Sequence, residues 1–142
     1  GLETLPLRMR AHSENAITVA KFLSDHDKVK IVIHPSLMEG ENRRRADAVM
    51  TGGFGGLVGF EIDNASKESG QKFIDSLKMF YHVANIGDSR SLAIHPASTT
   101  HSQLSPEERD KTGVTDGFIR LSVGIEHIDD IIADLDGALK ST

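Results

Sequence analysis

The sequence predicts a two-layer α/β domain of the α+β-like kind, a small mixed or antiparallel sheet with helices on one face. Three observations carry this. Stretches of helical periodicity alternate with short β-branched or aromatic runs, in the order helix–strand–helix–strand–helix–strand–strand–helix, and such alternation layers helices on a sheet. The chain has 142 residues, the size of one domain that buries about 68–70% of its unfolded surface. Its composition is ordinary for a packed fold, 38% hydrophobic and 26% charged.

From Leu5 to Leu23 the apolar positions Leu5, Met9, Ala16, Val19, Ala20 and Leu23 recur at three- and four-residue steps. This is an amphipathic helix opened by Pro6, which a first turn tolerates. Val29–Ile33 (VKIVI) is β-branched and stops at His34-Pro35, so it reads as a strand. ENRRRADAVM reads as a short polar helix, its arginine run flanked by Glu39, Glu41 and Asp47 as on a solvated face. In TGGFGGLVGFEI a period of two puts Phe54, Val58, Phe60 and Ile62 on one face, with Gly53, Gly55, Leu57, Gly59 and Glu61 on the other. Helical period returns from Lys67 to Phe80 through Phe73, Ile74 and Leu77. Leu92–Ile94 is a short strand candidate, and Ser105-Pro-Glu-Glu108 is a capping box that starts a brief helix. Phe118–Val123 reads as a strand, and Ile128, Ile131, Ile132, Leu135 and Leu139 stripe a closing helix. Asp129 and Asp130 at its start and Lys140 near its end suit the helix dipole.

The totals exclude several classes. A net charge of −5 argues against a general nucleic-acid partner. No apolar run approaches the ~18 residues that span a bilayer, so no membrane partner is expected. With no cysteine there is no disulfide, thiolate nucleophile or cysteine-ligated zinc, which fits a cytoplasmic protein. The glycines after Thr51 fail the dinucleotide fingerprint, because the third glycine position after Gly53 and Gly55 is Val58 and the run continues into a strand. His95 and His101 have no metal-ligand spacing, and no nucleophile elbow surrounds Ser98 or Ser102. Neither a metal site nor hydrolase chemistry is expected.

Two features point to a binding site. On the Phe118–Val123 strand, Ile119, Leu121 and Val123 share one face, so Arg120 projects from the other with Phe118 and Ser122. A guanidinium mounted on rigid backbone suits a carboxylate or phosphate, although a surface arginine or structural ion pair gives the same pattern. The segment Asn85–Ser105 is long and almost wholly polar, which makes it either a surface loop or one wall of a binding site. From the residues alone, the expectation is a domain that binds a small anion.

The words GLETLPLRM, HVANIGDSRSLAIHPASTTHSQLS and IRLSVGIEHIDDIIADL resemble the C-terminal domain of the Cys/Met-metabolism pyridoxal-phosphate enzymes over essentially the whole chain. ANIGDSRSLAIHPASTTH is most similar to the O-acetylhomoserine sulfhydrylase branch. The resemblance implies the small C-terminal domain of a fold-type I enzyme, with residues 1–142 forming a single substrate-binding domain. The implied reaction replaces the acetate of O-acetyl-L-homoserine with sulfide or a thiol, giving homocysteine or methionine. Cystathionine γ-synthase or methionine γ-lyase is the alternative within the family, and a non-catalytic small-carboxylate binding module the alternative outside it. Carried over by position, Arg120 matches the arginine that clamps the substrate α-carboxylate, and Asn85, the Ile86 N–H and Thr100 match positions that hold the carboxylate or orient that arginine. No stretch matches the family's cofactor lysine motif, so pyridoxal phosphate and all catalytic residues are expected in a larger N-terminal domain outside this chain. Partners implied by the resemblance are that domain and further copies in a homotetramer. Gly59 stands where the family more often carries a larger polar residue.

Overall fold

The computed structural model describes residues 1–63 and 66–142. Ten helices and strands are described, α1 (Leu5–Ser24), β1 (Val29–Ile33), α2 (Gly40–Val49), β2 (Leu57–Ile62), α3 (Lys67–Ser76), β3 (Tyr81–His82), β4 (Leu92–Ile94), α4 (Pro106–Lys111), β5 (Phe118–Ser122) and α5 (Ile128–Ser141). Single 3₁₀ turns at Pro35–Leu37 and Pro96–Ser98 follow β1 and β4. The strands form one sheet in the order β1-β2-β5-β4-β3. Neighbours pair antiparallel except β3 and β4, which are parallel, so the sheet is mixed.

The core lies between one sheet face and α1, α3 and α5. Val58, Phe60 and Ile62 of β2 and Ile119 and Leu121 of β5, with Val123 just beyond it, meet Ala16, Val19, Ala20 and Leu23 of α1, Phe73 of α3, and Ile131, Leu135 and Leu139 of α5. Phe60 and Phe73 meet edge to face with centroids 5.5 Å apart, a favoured aromatic geometry. Among the described residues no helix is long and apolar enough to cross a membrane.

Several expectations are corrected. Leu5 and Met9 belong to the apolar stripe of α1 by sequence but remain 37% and 38% exposed. A 20-residue helix is about 30 Å long, whereas strands of five and six residues cover about 17–20 Å, so the first turns of α1 overhang the sheet. Phe54 lies outside β2, because Gly53 and Gly55 adopt φ of +138° and +78° and break the extended alternation. Its N–H donates to Ser13 Oγ at 2.9 Å, and its ring meets His34 and the Arg43 guanidinium. Helix α3 stops at Ser76 because Leu77 is extended. The Asp134 carboxylate of α5 then accepts the N–H groups of Lys78, Met79 and Phe80 at 2.8, 2.9 and 3.2 Å, and Phe80 reaches the core from the bend beyond the helix.

The polar segment from Asn85 is divided by burial. Ser91 to Ala97, which include the strand candidate Leu92–Ile94, are all buried, so this part of the stretch is interior rather than surface loop. Its polar groups are satisfied there. The His95 Nε2–H donates to the Asp116 carbonyl at 2.7 Å while Nδ1 accepts from Ser98 Oγ at 2.9 Å. Gly70 of α3 is pressed against this ring, where a Cβ would lie 2.5 Å from His95 Nε2. Burial pushes the His95 imidazole pKa down, against the opposing pull of the Asp116 carbonyl.

Candidate functional site

Strand β5 divides as its alternation requires. Ile119 and Leu121 enter the core fully buried, and Arg120 leaves from the opposite face, half-buried. Gly59 of β2 and Ile94 of β4 are its cross-strand partners. The missing side chain at Gly59 leaves room for the Phe118 ring, which a Cβ there would meet at 3.0 Å. The glycine is thus explained by packing on the face that carries Arg120.

The loop after β3 arches over this face. Arg120 Nη2 donates to the Asn85 carbonyl at 3.3 Å, and the Ile86 N–H donates to Asn85 Oδ1 at 2.9 Å. Two donors, one cationic and one from backbone, therefore converge on oxygens of a single residue. Arg120 Nε is buried and has no hydrogen-bond partner among the described residues. An unpartnered guanidinium N–H costs free energy that an incoming anion would recover.

The loop is held at several points that the sequence reading did not single out. The Gly87 N–H donates to Ser122 Oγ at 3.2 Å, and the Ile125 N–H to the Ser89 carbonyl at 2.9 Å. The Glu126 carboxylate accepts both the N–H and the Oγ–H of Ser91, at 2.7 and 2.9 Å, while Ser91 Oγ accepts the Gly124 N–H at 2.9 Å. Asn15 of α1 donates to the carbonyls of Gly124 and Glu126 at 3.1 and 3.0 Å. Farther out, Asp88 Oδ1 accepts the Arg90 N–H at 2.9 Å, which with the Arg90 side chain holds the Asp88 carboxyl below its usual range. Ser122 was legible as a neighbour of Arg120 on one strand face; Glu126 carried no signal of spacing that would have found it.

Of the residues matched by position, the structure brings Asn85, Ile86 and Arg120 together. It does not join Thr100 to them through any hydrogen bond among the described residues. Thr100 Oγ1 is exposed and lies 2.9 Å from His101 Nδ1. Beside the loop, Ile86 and Ser122 also border a cleft of about 370 Å³ lined by Met9, His12, Phe54 and Leu57.

The chain's pattern matches, over residues 1–140, the family of Cys/Met metabolism PLP-dependent enzymes. The chain belongs to this family. It is 54% identical to an O-acetyl-L-homoserine sulfhydrylase of Leptospira meyeri, over 99% of this chain and 32% of that protein. It is 44% identical to a homocysteine synthase of Schizosaccharomyces pombe, over 99% of this chain and 32% of that protein. A crystal structure described as an O-acetylhomoserine (thiol)-lyase of Campylobacter jejuni superimposes with a TM-score of 0.90 at 45% identity, covering 99% of this chain and 33% of that one. That protein carries N'-pyridoxyl-lysine-5'-monophosphate. The chain thus spans about a third of the length of the relatives it matches.

Pyridoxal phosphate is the cofactor of the family, but the residues on this face do not fit a role in holding it. The cofactor needs a free lysine amine and a cradle for its phosphate. Lys30, on edge strand β1, is engaged by Glu61 at 2.9 Å, and no lysine hydrogen-bonds Asn85, Ile86 or Arg120 among the described residues. The face offers a guanidinium and backbone donors, which suits an anion rather than an imine.

Proposed function

We propose that this chain is the C-terminal substrate-binding domain of a PLP-dependent O-acetyl-L-homoserine sulfhydrylase, and that it binds the substrate α-carboxylate. Arg120 supplies the cation, the Ile86 N–H a backbone donor, and Asn85 sets the orientation of both. Thr100 completes the wall only if its hydroxyl turns from His101 toward Arg120. The lysine that carries the cofactor belongs to the remaining two-thirds of the enzyme, which together with this domain replaces acetate by sulfide or a thiol in a homotetramer. One observation carries the reading, namely that a strand-mounted guanidinium with an unpartnered Nε and a backbone N–H both donate to oxygens of the same residue, Asn85. The naming of the relatives as sulfhydrylases and homocysteine synthases supports this branch over the lyases.

The test is titration of the isotope-labelled chain with O-acetyl-L-homoserine and with acetate, read by amide shifts. Shifts clustered at Asn85, Ile86 and Arg120 with the amino acid are expected. A folded sample whose shifts fall elsewhere, or a carboxyl-amidated substrate that binds equally well, would overturn the assignment.

A further inference from the structure

We propose that Ser122 is a positioning residue for the carboxylate site, an inference that rests on assigning Arg120, Asn85 and Ile86 to the substrate carboxylate. Ser122 follows Arg120 by two positions on β5, so their side chains leave the same sheet face about 6.6–6.8 Å apart along the strand. Each ties down one residue of the arching loop. Arg120 Nη2 holds the Asn85 carbonyl and Ser122 Oγ holds the Gly87 N–H. Alternate residues of the strand thus fix alternate residues of the loop, and Ile86, with the N–H assigned to the substrate, is suspended between them.

Three further facts make Ser122 the hinge of this arrangement. It is only 4% exposed, where a hydroxyl is retained at a cost unless it bonds. Its cross-strand neighbours Leu57 and Leu92 offer no alternative acceptor to the loop. Gly87 adopts φ of +74°, a left-handed turn open to glycine at little cost, and that turn delivers its N–H to the serine. The next ties along the loop are at Ser89 and Ser91. Loss of the Ser122 hydroxyl therefore releases the peptide planes on either side of Ile86 while Arg120 stays in place.

The experiment uses the full-length enzyme with Ser122→Ala, Ser122→Thr and Ser122→Val, and Arg120→Lys in parallel. KM is measured separately for O-acetyl-L-homoserine and for sulfide, with melting temperature and the exchange rate of the Gly87 amide. Removing one hydrogen bond in Ser122→Ala is expected to raise KM for the amino acid about tenfold, with KM for sulfide moving far less and the Gly87 amide exchanging faster. Threonine, which keeps the hydroxyl, is expected to restore most of the loss. Valine, which keeps threonine's shape without the hydroxyl, is not. Wild-type KM in Ser122→Ala and Ser122→Val, with only a lower melting temperature, would show a packing role and overturn the proposal. Should threonine fold poorly, a wild-type Gly87 exchange rate in Ser122→Ala overturns it equally. If Arg120→Lys also leaves KM for the amino acid unchanged, the carboxylate assignment itself has failed, which separates the two inferences.

Discussion

Replacing Arg120 with methionine separates binding from folding. The arginine makes one described hydrogen bond, Nη2 to the Asn85 carbonyl at 3.3 Å, longer than the usual range and so worth about 1.5 kcal/mol, the low end for a bond with a charged partner. Its Nε is buried with no partner among the described residues, a liability of about 1–3 kcal/mol. Methionine keeps the apolar stem, deletes both terms and adds no buried polar group. Stability should therefore stay within about 1 kcal/mol of the parent or rise above it. Affinity for the amino-acid substrate should fall by about 2–5 kcal/mol, the scale for deleting one partner of a buried charge pair. Urea unfolding of the chain measures the first quantity, and substrate titration of the full-length enzyme the second. A loss of stability above about 2 kcal/mol with substrate affinity unchanged would refute the reasoning, because it would make Arg120 a structural residue whose Nε finds a partner in solution.

Other perturbations separate the core from the site. Leu121→Ala, one residue from Arg120 but on the core face and fully buried, should cost about 2–5 kcal/mol in urea unfolding. Gly70→Ala should destabilise despite a helix-propensity gain of about 0.5–1 kcal/mol, because its Cβ lands 2.5 Å from the anchored His95 ring; a raised melting temperature would show that the ring can move. Asp134→Ala should unfold at lower urea by about 1–3 kcal/mol through loss of the acceptor for three consecutive N–H groups, with Asp134→Asn retaining part of it. Burial lowers the pKa of both His34 and His95 from the ordinary 6.5, so below that pH the unfolded chain binds more protons than the folded one. Their stabilisation is complete above about pH 6.5 and is lost as pH falls toward the folded values, by up to about 1.4 kcal/mol per pH unit per histidine. Urea midpoints at pH 7.5, 6.5 and 5.5 check this, and His95→Asn should flatten the dependence.

Local pattern carried most of the fold. The bounds of β1 and β4 follow from β-branched or apolar runs closed by His-Pro, and α1 and α5 from three- and four-residue spacing. What was not legible depends on contacts distant in sequence. Helix α3 ends early because a carboxylate of α5 takes the N–H groups of Lys78, Met79 and Phe80, and β3 is a two-residue strand that exists through its pairing with β4. The site divides in the same way. Alternation along β5 aimed Arg120 outward, but no pattern in a single sequence could show that Asn85 folds over it. Composition also misread the residues flanking β4, since His95 and Ser91 are interior residues whose partners, the Asp116 carbonyl and Glu126, lie elsewhere in the chain.

On the proposed reading, that buried part explains how a loop can serve as a precise binding element. A loop held only by its ends loses affinity to the entropy of ordering it. Here the residues immediately after the loop form a core strand, β4, with Ser91 bonded twice to Glu126 and the Glu126 carbonyl bonded in turn to Asn15 of α1. The polar groups of the buried part are therefore not spent on solvent; they fasten the loop to the scaffold. Asn85 meanwhile occupies both donors with its own oxygens. A carboxylate entering the site would give the Arg120 guanidinium an ionic partner, with its Nε unpartnered beforehand. It would also turn the neutral bond of the Ile86 N–H into a charge-assisted one, about twice as strong, so the exchange favours the ligand without requiring the loop to fold around it.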